Sequence, residues 1–122
     1  MNTRARTVLI VDDHPSFRAA ARILLESAGF DVVDESEDAA GALAAAARLR
    51  PAIVLLDIGL PDGDGFEVAK RLASGDDPPV VILVSSREVA WYRRQLAESP
   101  ARGFIGKGDL SGDAVEALVG GD

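Results

Sequence analysis

The segment AIVLLDIGLPDGDGFEVAKRLA, Ala52 to Ala73, contains one complete strand–loop–helix unit. Its first part, AIVLL, has no polar alternation, which is typical of a strand covered on both faces of a parallel sheet. The loop IGLPDGDG follows, and FEVAKRLA then has the spacing of an amphipathic helix. In the loop, Pro61 stiffens the turn, Asp64 can cap the helix, and Gly63 or Gly65 is expected to adopt strained dihedral angles.

Four further strand–helix pairs flank this unit. Val8–Val11 predicts a first buried strand, and Pro15 suits the first turn of the helix after it. FDVVDES predicts a second strand, and Asp38 can cap an alanine-rich helix that stops before Pro51. VVILV with EVAWYRRQLAE, and GFI with DAVEALV, complete the series. Strands that alternate with helices predict a single α/β domain, in which a parallel sheet carries helices on both faces.

The composition restricts the possible functions. A chain of 122 residues fits one domain, and a net charge of −7 argues against nucleic-acid binding by this segment. The absence of cysteine excludes disulfides and cysteine-based zinc sites, and His14 is the only histidine. The first apolar run is too short for a signal peptide or a membrane span. We therefore expect a cytoplasmic domain with no membrane partner.

Polar residues stand where the apolar runs stop. The carboxyl ends of parallel strands share one edge of the sheet, and open α/β sheets bind ligands at that edge. Three carboxylates, one hydroxyl and one ammonium are therefore expected to meet there: Asp12, Asp13, Asp57, Ser85 and Lys107. Ser86 also stands at the end of the fourth apolar run.

The chemistry of this set points to phosphoryl transfer. Neighbouring carboxylates raise one another's pKa unless a cation intervenes, and Mg²⁺ takes oxygen ligands and bridges to phosphate oxygens. The Gly59 carbonyl, two residues past Asp57, is within reach of such a metal. The Lys107 ammonium is suited to pair with a phosphoryl oxygen or with Asp57. The Ser85 hydroxyl can donate a hydrogen bond to the same phosphoryl oxygen. Together they predict Mg²⁺-dependent transfer of a phosphoryl group onto an aspartate.

Four segments resemble the receiver domain of bacterial two-component response regulators, most of all receivers that precede a helix-turn-helix output domain: VLIVDDHPSFR, PAIVLLDIGLPDGDGFEV, VILVSS and ARGFIGK. Ser85 and Lys107 are 22 positions apart and Phe104 is three before the lysine, as in that family. The resemblance implies a flavodoxin-like (βα)5 fold with strand order 2-1-3-4-5. It also implies one receiver domain over residues 1–122, with no output domain in this chain.

The resemblance implies a role for each site residue. Asp57 would accept a phosphoryl group from a phosphohistidine of a sensor histidine kinase. Lys107 and Ser85 would contact that group, and Phe104 would turn inward as Ser85 moves toward it. This movement would alter the surface of the fourth helix, fifth strand and fifth helix. Mg²⁺ (or Mn²⁺) would be held by three carboxylates and one carbonyl: Asp12, Asp13, Asp57 and Gly59.

Such a domain is a switch that phosphorylates and dephosphorylates itself and is not a turnover enzyme. The implied partners are a sensor histidine kinase, a second copy on phosphorylation, and DNA only through an output domain. Two alternatives remain. The first is a degenerate receiver that binds partners without being phosphorylated. Replacement of Asp57, Lys107 or Asp13 would favour it, and all three residues are present. An aspartate-nucleophile phosphatase uses D-x-D at the first strand, whereas here His14 stands two positions after Asp12.

Several residues have no assigned role. Gly108 stands where the family commonly has proline, and Ser86 replaces a small apolar residue. His14 stands beside the acids, a position that suits a phosphate relay or a metal ligand, but we expect a solvated side chain at the rim of the site. Trp91 and Tyr92 are neighbours on a predicted helix, so one of the two is expected to be exposed.

Overall fold

The computed structural model describes residues 3–120, so the domain bounds predicted at residues 1 and 122 lie outside the described residues. Within them, the strands form one sheet in the order β2-β1-β3-β4-β5, and each neighbouring pair is parallel. The predicted α/β class and strand order are confirmed. The five strands are β1 (Thr7–Val11), β2 (Asp31–Ser36), β3 (Ile53–Asp57), β4 (Val80–Ser85) and β5 (Gly103–Gly106).

Helices cover both faces of the sheet, and short 3₁₀ turns occur at Thr3–Arg6, Val89–Tyr92 and Lys107–Asp109. A two-stranded antiparallel hairpin, Gly59–Leu60 with Gly63–Asp64, occupies the loop after β3. The sequence did not predict this hairpin. The α-helices are α1 (Pro15–Ser27), α2 (Ala39–Leu49), α3 (Gly65–Ala73), α4 (Arg93–Glu98) and α5 (Gly112–Val119).

The core has two halves, one on each side of the sheet. Alternate residues of a strand point to opposite faces, so Val8 and Ile10 lie in one half while Leu9 and Val11 lie in the other. Burying each such side chain contributes about 1.5 to 3 kcal/mol. In the part of the chain that the structure describes, no helix is long and apolar enough to cross a bilayer.

Side chains fix where the helices begin. Asp38 accepts a hydrogen bond from Gly41 N at the start of α2, and Asp64 accepts one from Glu67 N at the start of α3. Both predicted caps are confirmed. Helix α1 begins differently, because His14 occupies the capping position without a side-chain cap and Pro15 takes the first helical position. Neither acid that precedes α1 is therefore the N-cap residue of this helix.

Candidate functional site

The carboxyl edge of the sheet brings the predicted polar residues together. Asp57 is the last residue of β3, Ser85 is the last residue of β4, and Lys107 follows β5 directly. One ligand atom from each of four side chains lies within 4.8 Å of the others: Asp12, Asp13, His14 and Asp57. Ser86, by contrast, is exposed beyond the end of β4.

Two carboxylates of this cluster are removed from water. Asp12 is 0% exposed and Asp57 is 5% exposed. Burial, and then the nearby charge of Asp12, raise the pKa of the Asp57 carboxyl. The ammonium of Lys107 and the N–H of Gly59, which donates to Asp57 Oδ1 at 3.2 Å, partly oppose that rise in pKa. The protein therefore holds two buried acids side by side at an energetic cost that a cation would reduce.

Lys107 supplies one positive charge to the pair. Its Nζ lies 2.7 Å from Asp12 Oδ2 and 3.4 Å from Asp57 Oδ2, and 4.7 Å from the centre of the Phe17 ring. The contact with Asp12 has ion-pair distance without hydrogen-bond geometry. Asp12 Oδ2 is thus a buried oxygen that lacks a hydrogen-bond partner among residues 3–120. Such an oxygen, beside Asp13 and Asp57, fits the oxygen ligands that Mg²⁺ requires.

His14 lies at the rim of the site, beside the acids. Its side chain is 62% exposed, as predicted for a solvated residue at the rim. Its Nδ1 lies 2.9 Å from Asp12 Oδ1 and 3.2 Å from Asp13 Oδ1. The Nδ1 edge of the ring therefore contacts the carboxylate cluster, while most of the side chain faces water.

Gly65 lets the loop after β3 pass close to the backbone of Asp57 and Ile58. A Cβ at this position would lie 2.6 Å from the Asp57 carbonyl oxygen and 2.8 Å from Ile58 Cα, and either distance is a clash. The predicted strained dihedrals at Gly63 or Gly65 are wrong, since the glycine with a positive φ among the described residues is Gly29. Glycine is needed at position 65 because the two backbone segments touch.

Ser85 has a partner that the sequence did not reveal. Its Oγ lies 3.2 Å from the hydroxyl of Tyr92 and accepts a hydrogen bond from Arg87 N at 3.0 Å. The Tyr92 ring packs between two other aromatic rings, with centroids 5.8 Å away at Phe66 and 6.2 Å away at Phe104. The adjacent aromatic residues Trp91 and Tyr92 were the only sign of this contact in the sequence, and they did not show which of the two rings turns inward.

The predicted helix EVAWYRRQLAE divides at this tyrosine. Tyr92 has φ −120° and ψ 15°, which is outside the α-helical range, so the 3₁₀ turn ends there and α4 begins at Arg93. Trp91 points outward at 65% exposure, with the Arg87 guanidinium 4.8 Å from the centre of its ring. One aromatic of the pair is thus exposed, as the sequence predicted.

An open cleft of about 620 Å³ adjoins the site. Its lining includes Ser85, Phe104, Lys107 and Ala114 of α5. The cleft therefore connects the polar edge of the sheet to the surface of β5 and α5.

Comparison with known families matches residues 8–118 to the response regulator receiver domain. The match covers most of the chain and includes every site residue described above. This protein belongs to the response regulator receiver family.

Individual relatives agree with this assignment. The chain is 37% identical to the virulence-factor transcription regulator BvgA of Bordetella pertussis over 110 residues, which are 90% of this chain and 53% of that protein. It is 28% identical to EvgA of Escherichia coli K12, a DNA-binding transcriptional activator, over 90% of this chain and 54% of that protein. The chain thus spans about half the length of these relatives.

Solved structures show the same fold. The signal receiver domain of the response regulator NarL from Mycobacterium tuberculosis is 34% identical, with a TM-score of 0.82 over 95% of this chain and 97% of that one. A LuxR-family two-component response regulator from Aurantimonas sp. SI85-9A1 is 28% identical, with a TM-score of 0.84 over 94% of this chain and 85% of that one.

Proposed function

We propose that this domain accepts a phosphoryl group on Asp57 from the phosphohistidine of a sensor histidine kinase, and that the reaction requires Mg²⁺ or Mn²⁺. The observation that supports this most is the burial of Asp57 beside a second buried carboxylate and the Lys107 ammonium. A buried acid with a raised pKa and a cation at hand is characteristic of a reactive group.

The metal would be held by the carboxylates of Asp12, Asp13 and Asp57 together with the Gly59 carbonyl. It would neutralise charge on the phosphoryl oxygens, which is the usual contribution of a divalent ion to this chemistry. The buried Asp12 Oδ2, which has an ion-pair contact with Lys107 but no hydrogen-bond partner among residues 3–120, supports this donor set.

The protein's own side chains would carry out the transfer. An Asp57 oxygen forms the new P–O bond as the P–N bond of the phosphohistidine breaks, and the departing imidazole keeps the electron pair. Lys107, already 3.4 Å from Asp57 Oδ2, would then pair with a phosphoryl oxygen. No residue needs to remove a proton from Asp57, because the attacking form is the carboxylate.

The conformational response would begin at Ser85. To donate to the phosphoryl group, its hydroxyl would leave Tyr92, and the aromatic group that includes Phe104 would repack toward the space vacated. The cleft beside β5 and α5 would change with it, and so would the surface offered to partners.

The output of this switch is also a proposal. EvgA is a DNA-binding transcriptional activator and BvgA a transcription regulator, so we propose that the domain controls a DNA-binding output and pairs with a second copy when phosphorylated. It would act as a switch and not as a turnover enzyme. The cytoplasmic location expected from the sequence stays a prediction.

Acetyl phosphate, a small phosphoryl donor, tests the proposal without the kinase. In the presence of Mg²⁺, intact-mass spectrometry should show one added phosphoryl group of about 80 Da on the wild type and none on Asp57→Asn. Asp64→Asn is the matched control, because asparagine also caps helices and this variant should be labelled normally. Equal labelling of the wild type and Asp57→Asn, or labelling that persists in excess chelator, would contradict the proposal.

A further inference from the structure

We propose that His14 is a direct ligand of the divalent ion through Nδ1. The site would then bind transition-metal ions that favour nitrogen ligands more tightly than a site made of its carboxylates alone. The inference rests on the proposed function, since it concerns the same metal site. It adds a nitrogen to a set of ligands that otherwise consists of oxygens.

The first argument is the spacing of the atoms. Metal–ligand bonds of about 2.1 Å at right angles place neighbouring ligand atoms about 3.0 Å apart. His14 Nδ1 lies 2.9 Å from Asp12 Oδ1 and 3.2 Å from Asp13 Oδ1. His14 Nδ1 thus already lies at the separation of an adjacent ligand from an oxygen of each of these two carboxylates.

The second argument is that the backbone holds His14 beside the Asp12 carboxylate. His14 N donates to Asp12 Oδ1 at 2.8 Å, and the residue stands between β1 and the first helical residue, Pro15. The edge of the ring that carries Nδ1 faces the carboxylates, and the opposite edge is exposed. In the tautomer that carries its proton on Nε2, the Nδ1 lone pair would face the ion.

The third argument comes from Asp12. It is fully buried, and its Oδ2 has no hydrogen-bond partner in the described part of the chain. Its neighbour Lys107 Nζ lies 3.5 Å from His14 Nδ1, so one small volume is bordered by the carboxylate, the imidazole and the ammonium. A divalent ion there would compete with the ammonium for Asp12.

The chemistry of the ligands determines which ions would benefit. Mg²⁺ prefers oxygen ligands and retains its waters, whereas imidazole nitrogen suits ions such as Co²⁺, Ni²⁺ and Zn²⁺, and Mn²⁺ accepts both donors. His14 would therefore strengthen the binding of transition ions and leave Mg²⁺ binding nearly unchanged.

Mn²⁺ is the probe for a direct test, because it is paramagnetic. The chain has a single histidine, so in tag-free protein any directly bound imidazole belongs to His14. Electron spin-echo envelope modulation on the Mn²⁺-loaded domain should show ¹⁴N coupling of a bound imidazole, and the coupling should disappear in His14→Ala. Bound Mn²⁺ without imidazole coupling in the wild type would overturn this inference and leave the metal site intact. Failure of Mn²⁺ to bind at all would instead count against the proposed function.

Affinities provide a second readout. Loss of His14 should weaken Co²⁺ and Mn²⁺ binding at least about tenfold, measured by titration calorimetry, while Mg²⁺ affinity changes less than about twofold. Unchanged urea unfolding of His14→Ala would show that the variant is folded. Equal losses for Mg²⁺ and Co²⁺ would mean that His14 only positions the carboxylates, and would contradict direct ligation.

Discussion

The hydroxyl of Tyr92 lies 3.2 Å from Ser85 Oγ, so the residue predicted to meet the phosphoryl group is joined directly to the aromatic cluster of Phe66, Tyr92 and Phe104. Ser85 is almost fully buried, and the contact with Tyr92 is partly buried. The contact makes Tyr92 a partner of Ser85, the residue that we propose moves on phosphorylation. Phosphorylation would have to break the contact.

Tyr92→Phe should favour the phosphorylated conformation. The variant removes the hydroxyl but keeps the ring packing, and one hydrogen bond contributes about 0.5 to 1.5 kcal/mol. The apparent affinity for beryllofluoride, a phosphoryl mimic, should therefore rise about two- to tenfold, measured by titration in the presence of Mg²⁺. The same substitution in a Ser85→Ala background is the control and should have almost no effect. A wild-type affinity in Tyr92→Phe would show that Ser85 does not leave the tyrosine.

Gly65→Ala should lower the stability of the domain and slow the phosphorylation of Asp57. Its Cβ would clash with the Asp57 carbonyl oxygen and with Ile58 Cα, so the loop after β3 must shift. We expect a loss of about 2 to 3 kcal/mol in the free energy of unfolding, measured in urea, and slower labelling by acetyl phosphate. Gly75→Ala is the matched control, because the nearest atom to its Cβ position, the Leu72 carbonyl oxygen, lies 3.9 Å away at an ordinary contact distance. Equal losses for the two variants would refute the close-approach argument.

Replacing Asp57 and replacing Asp62 should change the free energy of unfolding at pH 7 in opposite directions. Burial and Asp12 raise the pKa of Asp57, so the folded state is penalised as the pH rises above the ordinary value of 3.8. In metal-free buffer, Asp57→Asn should therefore increase the free energy of unfolding at pH 7, and the increase should vanish below about pH 3.8. A decrease at pH 7 that persists in acid would contradict this sign.

Asp62 provides the opposite case in the same experiment. Hydrogen bonds from the N–H groups of Ala39 and Ala40 lower the pKa of its carboxyl, so the ionised form stabilises the folded state. Asp62→Asn should therefore decrease the free energy of unfolding at pH 7. That loss should disappear as the pH falls through the lowered pKa.

The sheet and its edge could be predicted from the sequence because each depends on local pattern. Unbroken apolar runs such as Val80–Val84 have few alternatives to a buried parallel strand, and the topology then places residues as distant as Asp12 and Lys107 at one edge. The caps at Asp38 and Asp64 were equally local. These features required no knowledge of packing.

The remaining features depend on contacts between distant segments. The orientation of Tyr92 toward Ser85 follows from two aromatic rings on other elements, and the need for Gly65 follows from the path of the chain at Asp57. The approach of His14 Nδ1 to the acids depends on the turn between β1 and α1. No periodicity in the sequence reports these distances.

The central claim is that Asp57 is the phosphoryl acceptor, and the most direct measurement is chemical trapping of the acyl phosphate. Borohydride reduces an aspartyl phosphate to homoserine, so peptide mass spectrometry after treatment with acetyl phosphate, Mg²⁺ and then borohydride identifies the modified residue. We predict homoserine at position 57 alone. Homoserine at Asp12 or Asp13, or an unmodified Asp57 in protein that carries phosphate, would contradict the account.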